Sequence, residues 1–210
     1  MNIVEKTIPS LYDLKPFMKE GKVVAFNIGS NNEVLVVVAH KPLDNRYQSS
    51  SGATFPKVKP DEPQIYEILH GIDGELKCLC AIEEDKYNIN DIQLLPSNKI
   101  LLVCCRSEYR GPEDFDKNGR IYSSQGLFLE EILLGDGIQN TQVSNTGEIW
   151  TGYFDEGIFG NFGWEQPIGS SGLISWNYHG DKLYEFSPTS GLKHIDECSA
   201  LNVLNKDVTW

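Results

Sequence analysis

VVAFNIGSNNEVLVVVA, residues 23–39, is an apolar run, a polar turn built on Gly, Ser and Asn, and a second apolar run. The same grammar returns in IQLLPSNKILLVCC (92–105), TQVSNTGEIWTGYF (141–154) and ALNVLNKDVTW (200–210). The turn-exit residues Glu33, Lys99, Glu148 and Asp207 follow one another at intervals of roughly 50–65 residues, a spacing that points to a repeat architecture. A unit of this kind buries its faces only by stacking on its neighbours, as the blades of a β-propeller do.

Between successive copies lies a second strand pair. Residues 65–69 and 75–82 flank HGIDG, 120–123 and 127–133 flank SQG, and 173–176 and 182–186 flank HGD. Gly-containing turns between β-rich runs are hairpin signals. Each blade then reads as four antiparallel strands, A to D from the axis outward. The predicted fold is all-β, a propeller of four-stranded blades with essentially no helix after residue 21. Residues 1–22 precede an array with blades near 23–82, 92–133, 141–186 and 198–210. Three blades are whole and the fourth has only its inner hairpin, about three and a half in all. An inner hairpin without outer strands leaves an unpaired edge, so the chain is expected to be a fragment of a longer propeller.

Neighbouring strands alternate in direction, so alternate loops share an edge of the disc. The short A–B and C–D turns fall on one face and the longer B–C and D–A connections on the other, the long-loop face. His40, Arg106, Asp136, Asp155 and His194 are thereby predicted on the long-loop face, and His70, Ser97, Asn145 and His179 opposite. The B–C connections span 40–64, 106–119 and 155–172; connections this long in a compact domain are usually functional or disordered. Residues 40–64, with YQSSSGATF and Pro42, Pro56, Pro60 and Pro63, read as a surface excursion. Residues 155–172 combine Phe159, Phe162 and Trp164 with several glycines. Aromatics beside glycines can floor a ligand pocket, because glycine admits close backbone approach, although such rings can equally pack a loop onto its blade.

Residues that close the D–A loops enter the innermost strands and should lie nearest the axis. Aligning Ile89, Ile138 and Ile195 puts Asn90, Gln139 and Asp196 at the next position, and Asp91, Asn140 and Glu197 at the one after. Amide and carboxylate oxygens gathered from several segments suit a hard cation such as Ca²⁺. They also suit a polar ligand, or the loop's own backbone groups. These six residues, with Trp164 at the rim, form the candidate ligand site.

Composition narrows the partners. Lys and Arg number 18 against 30 Asp and Glu, a formal charge of −12. A surface this acidic repels phosphate backbones and anionic lipids, so no nucleic-acid or membrane partner is expected. No stretch has the apolar length of a signal peptide or membrane span. Five cysteines, an odd number, then read as free thiols in a reducing cytoplasm. Cys78-x-Cys80 and Cys104-Cys105 lack zinc-site spacing. The four histidines are dispersed, and the acidic pair Asp155-Glu156 offers a general acid–base only if it is more than an exposed turn.

VSNTGEIWTGYFDEGIFG (143–160) and GLISWNYHGDKLYEF (172–186) resemble blades of the NHL and gluconolactonase-like propellers. The chain as a whole is similar to uncharacterised propeller proteins of bacteria. Gluconolactonase-like members hold a divalent metal on axial Glu, Asn and Asp residues. The resemblance implies Asn90, Asn140 and Asp196 as the corresponding set, with no early Glu assigned, and a divalent cation such as calcium as cofactor. Two functions are expected. One is a binding scaffold that engages a small polar ligand or a protein through its long-loop face. The alternative is a metal-dependent hydrolase of the gluconolactonase-like type, in which the cation polarises a carbonyl.

Overall fold

The structure, a computed structural model of the chain, describes residues 12–43, 46–50, 52–205 and 208–209. Strands β1 (Lys22–Ile28) and β2 (Val34–Ala39) form an antiparallel hairpin whose turn is closed by Gly29 N donating to Glu33 O at 2.9 Å. Val34–Ala39 is apolar without alternation because the sheet is covered on both faces. The connection that follows is not structureless: β3 (Tyr47–Ser50) and β4 (Ala53–Pro56) pair within it. β5 (Gln64–Ile72) and β6 (Glu75–Asp85) then turn at Asp73–Gly74, with φ of 50° and 81°. Two successive positive φ values are what a two-residue type I′ hairpin turn requires, and Asp-Gly supplies them at little cost.

The second sheet repeats this plan. β7 (Asp91–Leu95) and β8 (Lys99–Val103) are joined through Pro96–Asn98, a short 3₁₀ turn in which Ser97 and Asn98 take positive φ. A small hairpin, β9 (Tyr109–Gly111) with β10 (Asp114–Phe115), stands in the next connection. β11 (Gly119–Tyr122) and β12 (Phe128–Ile132) complete the sheet. In the third sheet β13 (Ile138–Val143) and β14 (Ile149–Tyr153) lead into helix α1 (Asp155–Phe159). β15 (Leu173–Trp176) and β16 (Lys182–Glu185) close it. β17 (Val203–Asn205) and β18 (Val208–Thr209) make a last hairpin; Asp207 and Trp210, which belong to the fourth sequence copy, lie outside the described residues.

The strand orders are β1-β2-β5-β6, β7-β8-β11-β12 and β13-β14-β15-β16, all antiparallel, so each sheet runs inner to outer in chain order. The fold is all-β and built of four-stranded antiparallel blades. The five-residue α1, under two turns long, stays within the expectation of essentially no helix after residue 21. The hydrophobic period of the strands carries no signal for a single turn inside a Gly-rich loop. Two cores separate the sheets. Leu35, Val37, Ile68 and Ile82 of the first meet Ile92, Ile100, Leu102 and Tyr122 of the second. Leu101, Val103, Ile121 and Ile132 of the second meet Val143, Ile149, Ile174 and Trp176 of the third. Each fully buried Leu, Ile or Val contributes roughly 1.5–3 kcal/mol. The outward side of the first sheet is covered by Leu14, Phe17 and Met18, and that of the third by Ile195, Cys198 and Leu201.

β1 and β13 both pack on β7, and there the sheets are joined by polar chemistry. Asp91 accepts from Asn27 Nδ2 on β1 (2.7 Å), from its own neighbour Ile92 N (2.7 Å), and from Thr141 N on β13 (2.9 Å). Asn27 Nδ2 also donates to Thr141 O at 3.0 Å. A second tie joins the outer parts of the first two sheets. Asp85 accepts from Tyr122 Oη and from Tyr87 N, with Arg120 Nε 3.4 Å away.

Replacing Asp91 by Asn turns one acceptor into a donor facing Thr141 N–H. The Asp91→Asn variant should lose about 1–3 kcal/mol in denaturant unfolding at pH 7 with the fold retained, because an unsatisfied pair is left in a packed position. An unchanged midpoint would show that the three inner strands do not depend on this carboxylate.

Crowding by protein atoms raises the Asp91 carboxyl from its ordinary range to about 6, against the lowering effect of its donors. Its folded value therefore exceeds the unfolded one of about 3.9, and the folded state binds the proton more tightly. From this group alone, stability is greatest below about pH 4 and declines as pH rises through about 6. The margin of wild type over Asp91→Asn should accordingly widen as pH is lowered from 7 to 4. A margin that narrows on acidification would reverse the sign and place the folded value below the unfolded one.

Candidate functional site on the long-loop face

The axial residues are divided among separate tasks. Asp91 clasps β1 and β13. Asn90 Oδ1 accepts from Cys105 N at 3.0 Å, and Asn140 Nδ2 donates to Cys198 O at 2.9 Å. Gln139, Asp196 and Glu197 are exposed. Glu197 lines a groove against the outward side of the third sheet, with Trp150, Leu173 and Tyr184, whereas Trp164 lines another groove altogether. Of the residues read as a calcium set, Asn90 and Asn140 thus serve backbone partners. Among the described residues, no three His, Cys, Asp or Glu side chains gather as a metal-binding group.

Sequence reasoning missed the residues that do converge on the inner strands. Gln93 Oε1 accepts from Val143 N (3.1 Å), and Gln142 Oε1 from Val203 N (2.8 Å). Asn27, Gln93 and Gln142 each stand six residues before a turn-exit residue. That shared offset was the available signal: an amide side chain at this position reaches the next inner strand.

On the long-loop face the structure assembles a different centre. Arg106 follows β8, Asp136 lies in the connection between β12 and β13, and Glu156 is in α1. Arg106 is wholly buried, with Nη2 2.6 Å from Glu156 Oε2 and Nη1 3.4 Å from Asp136 Oδ2. Its guanidinium carbon lies 4.0 Å from the centroid of the Phe162 ring and 5.3 Å from that of Phe154, a cation–π arrangement that favours Arg in a desolvated position. Although the ion pairs are close, Arg106 Nε, Nη1 and Nη2 and Asp136 Oδ2 make no hydrogen bond of acceptable geometry. Four unsatisfied polar atoms in one buried place are unusual, since buried polar groups are nearly always bonded. Burial pushes the Asp136 carboxyl up to about 6, more than Arg106 and the Ser107 and Gly137 amides bring it down.

Two glycines allow this enclosure to close. A Cβ on Gly157 would stand 2.4 Å from Asp136 O, and one on Gly137 2.4 Å from Gly157 Cα. Gly137 also has φ of 72°, a region that side chains disfavour. α1 therefore rests directly on the backbone of the β12–β13 connection, which brings Glu156 over Arg106.

The two long connections are knitted together beside this centre. Trp164 Nε1 donates to Ser107 O at 2.7 Å, and Tyr109 N to Phe162 O at 2.8 Å. The Tyr109 and Trp164 rings stand 4.8 Å apart, with Phe115 at 6.2 Å from Trp164. Buried Asp116 gathers Lys59 Nζ (2.6 Å) and Arg110 Nη1 (3.1 Å), and those partners hold its carboxyl below the usual range despite burial. The outcome is a groove of about 660 Å³ lined by Tyr109, Arg110, Gly163, Trp164, Glu165 and Gln166. Trp164 packs this wall more than it presents a face, since it is nearly buried and its N–H is already engaged.

The remaining candidates play smaller parts. His40 pairs with Glu67 at 2.9 Å and His179 faces Glu130 at 3.4 Å, at opposite ends of the strands, as antiparallel alternation requires. All five cysteines are free, and burial pushes Cys105 up to about 12, which keeps its thiol neutral near pH 7.

No protein-family model matches this chain, and no curated protein matches it. Among solved structures, it is similar to regucalcin, a calcium-binding protein of Agrobacterium tumefaciens, with a TM-score of 0.38 and 11% identity over 82% of this chain and 47% of that one. It is also similar to a protein of unknown function from Bacteroides caccae, with a TM-score of 0.37 and 10% identity over 80% of this chain and 61% of that one. The chain spans about half the length of regucalcin and three fifths of the second protein. Scores and identities this low assign this chain no activity.

Proposed function

We propose that this protein is a binding scaffold that holds a small polar ligand on its long-loop face, in the groove between Tyr109 and Gln166. The observation that carries this reading is the junction of two separate B–C connections through Trp164 Nε1 and Ser107 O, which creates a walled groove where two loops could have diverged. Ligand sites of this size are concave and combine an apolar wall with a few oriented polar groups. Here Tyr109 and Trp164 supply the wall, and Arg110, Glu165 and Gln166 the polar rim. Arg110 is pre-oriented by Asp114 at 2.8 Å and Asp116 at 3.1 Å, so less side-chain entropy is lost when it meets a ligand. Asn90 and Asn140, two of the three residues that the metal-hydrolase alternative needs, are drawn into backbone hydrogen bonds.

A thermal-shift screen of the protein against small polar metabolites, with calcium as one arm, tests this reading. A ligand of the groove should raise the wild-type melting temperature by mass action. It should lose at least tenfold in affinity with Arg110→Ala, about 1.4 kcal/mol. A ligand whose affinity is untouched by both Arg110→Ala and Tyr109→Ala would move binding off this groove. A calcium-dependent rise that Asp196→Ala abolishes would favour the hydrolase alternative instead.

A further inference from the structure

We propose that Arg106 is the seat of a small carboxylate ligand, and that Glu156 occupies this seat in the structure as an internal substitute. The inference goes beyond the groove reading: it adds a second seat on the long-loop face, outside the groove's lining, with its class of ligand and the residue that competes for it.

The guanidinium lies over the Phe162 ring at 4.0 Å and over the Phe154 ring at 5.3 Å, and its edge carries five N–H donors. Nothing satisfies that edge: all three nitrogens are buried and without a hydrogen bond, although Glu156 Oε2 is only 2.6 Å from Nη2. Glu156 therefore supplies charge without the paired, in-plane geometry that a free carboxylate gives to a guanidinium. The two acids beside Arg106 differ in how firmly they are held. Asp136 Oδ1 accepts from Ser107 N at 2.8 Å, inside the fold, and cannot turn away without breaking that bond. Glu156 projects from a surface helix of five residues, and its side chain keeps 28% of its exposure. Of the two, Glu156 is the one able to leave.

Charge selects the ligand. The centre holds one guanidinium and two carboxyl groups, and burial already makes Asp136 reluctant to ionise. Exchanging Glu156 for another monoanion leaves the balance unchanged. A phosphate dianion would add a second negative charge beside Asp136 in a site with little solvent to screen it. In-plane pairing with the guanidinium edge favours a flat group. A planar monocarboxylate meets both conditions.

Rescue by added carboxylate tests the proposal. Glu156→Ala removes the internal substitute and leaves the buried guanidinium with Asp136 as its one acidic partner, at 3.4 Å, so this variant should melt below wild type. Sodium formate or acetate should then raise its melting temperature by about 2–4 °C over sodium chloride at equal ionic strength, a shift of the size expected from modest stabilisation of a chain this long. Wild type should shift less, because tethered Glu156 competes at high effective concentration. Glu156→Gln, which keeps the side-chain volume, serves if the alanine variant does not fold, and the same carboxylate-specific rise is expected. Arg106→Met combined with Glu156→Ala should abolish the rise. Equal shifts in formate and chloride, a shift as large in wild type, or a rise that persists without Arg106 would each overturn the proposal and leave the unsatisfied atoms to buried water. A metabolite whose affinity falls with Arg110→Ala would leave the scaffold reading standing even then, so the two can fail separately.

Discussion

One carboxylate holds the centre of this protein together. Asp91 is the shared acceptor for a side chain of β1 and a backbone amide of β13, and it belongs to the strand between them. Three blades that share no backbone hydrogen-bond ladder along their inner strands need some such link, because the apolar cores between sheets are non-directional. Burial draws the sheets together; the Asp91 hydrogen bonds, with those of Gln93 and Gln142, fix how far one inner strand slides past the next. A slip of one residue would turn every side chain of a strand to its other face. The polar ties are therefore a register device, and the apolar cores supply the energy.

The long-loop face follows from that arrangement. With strand ends fixed in register, Arg106, Asp136 and Glu156 arrive at one place from three connections. The β9–β10 hairpin and α1 then pack as side structures on a rigid rim. Catalytic and binding residues concentrate on loops that a scaffold positions, and here the scaffold also supplies buried charge. Arg106 is drawn below the surface by two aromatic rings, while Arg110, only four residues away, remains on the rim and is held by acids.

The sheets were legible in the sequence because their signal is local. Apolar runs broken by Asn, Ser and Gly turns predict the β1–β2, β7–β8 and β13–β14 hairpins, and Asp73-Gly74 marks the turn between β5 and β6. Antiparallel alternation then predicts that Arg106, Asp136 and Asp155 share an edge. The partnership of Arg106 with Glu156 was not legible, since the two are fifty residues apart and their meeting depends on the glycines at 137 and 157. Asp91 was visible as a recurring polar position, but its function as a tie required the neighbouring strands. Trp164 was read as a rim residue; its aromatic, Gly-rich surroundings showed that the loop is special and gave no indication that the indole N–H would be engaged by Ser107 O. The hairpin β3–β4 was hidden by the polar, Pro-bearing composition of its connection.

The glycine-on-glycine contact between α1 and the β12–β13 connection separates two kinds of mutational tolerance. Any side chain at Gly137 or Gly157 forces the helix outward, and of the residues that fill the two inter-sheet cores the helix carries only Ile158. The blades can stay intact while the enclosure around Arg106 widens. Drift at these two positions would therefore change the room around Arg106 before it changed whether the chain folds, and chains that share this scaffold could differ at this enclosure alone.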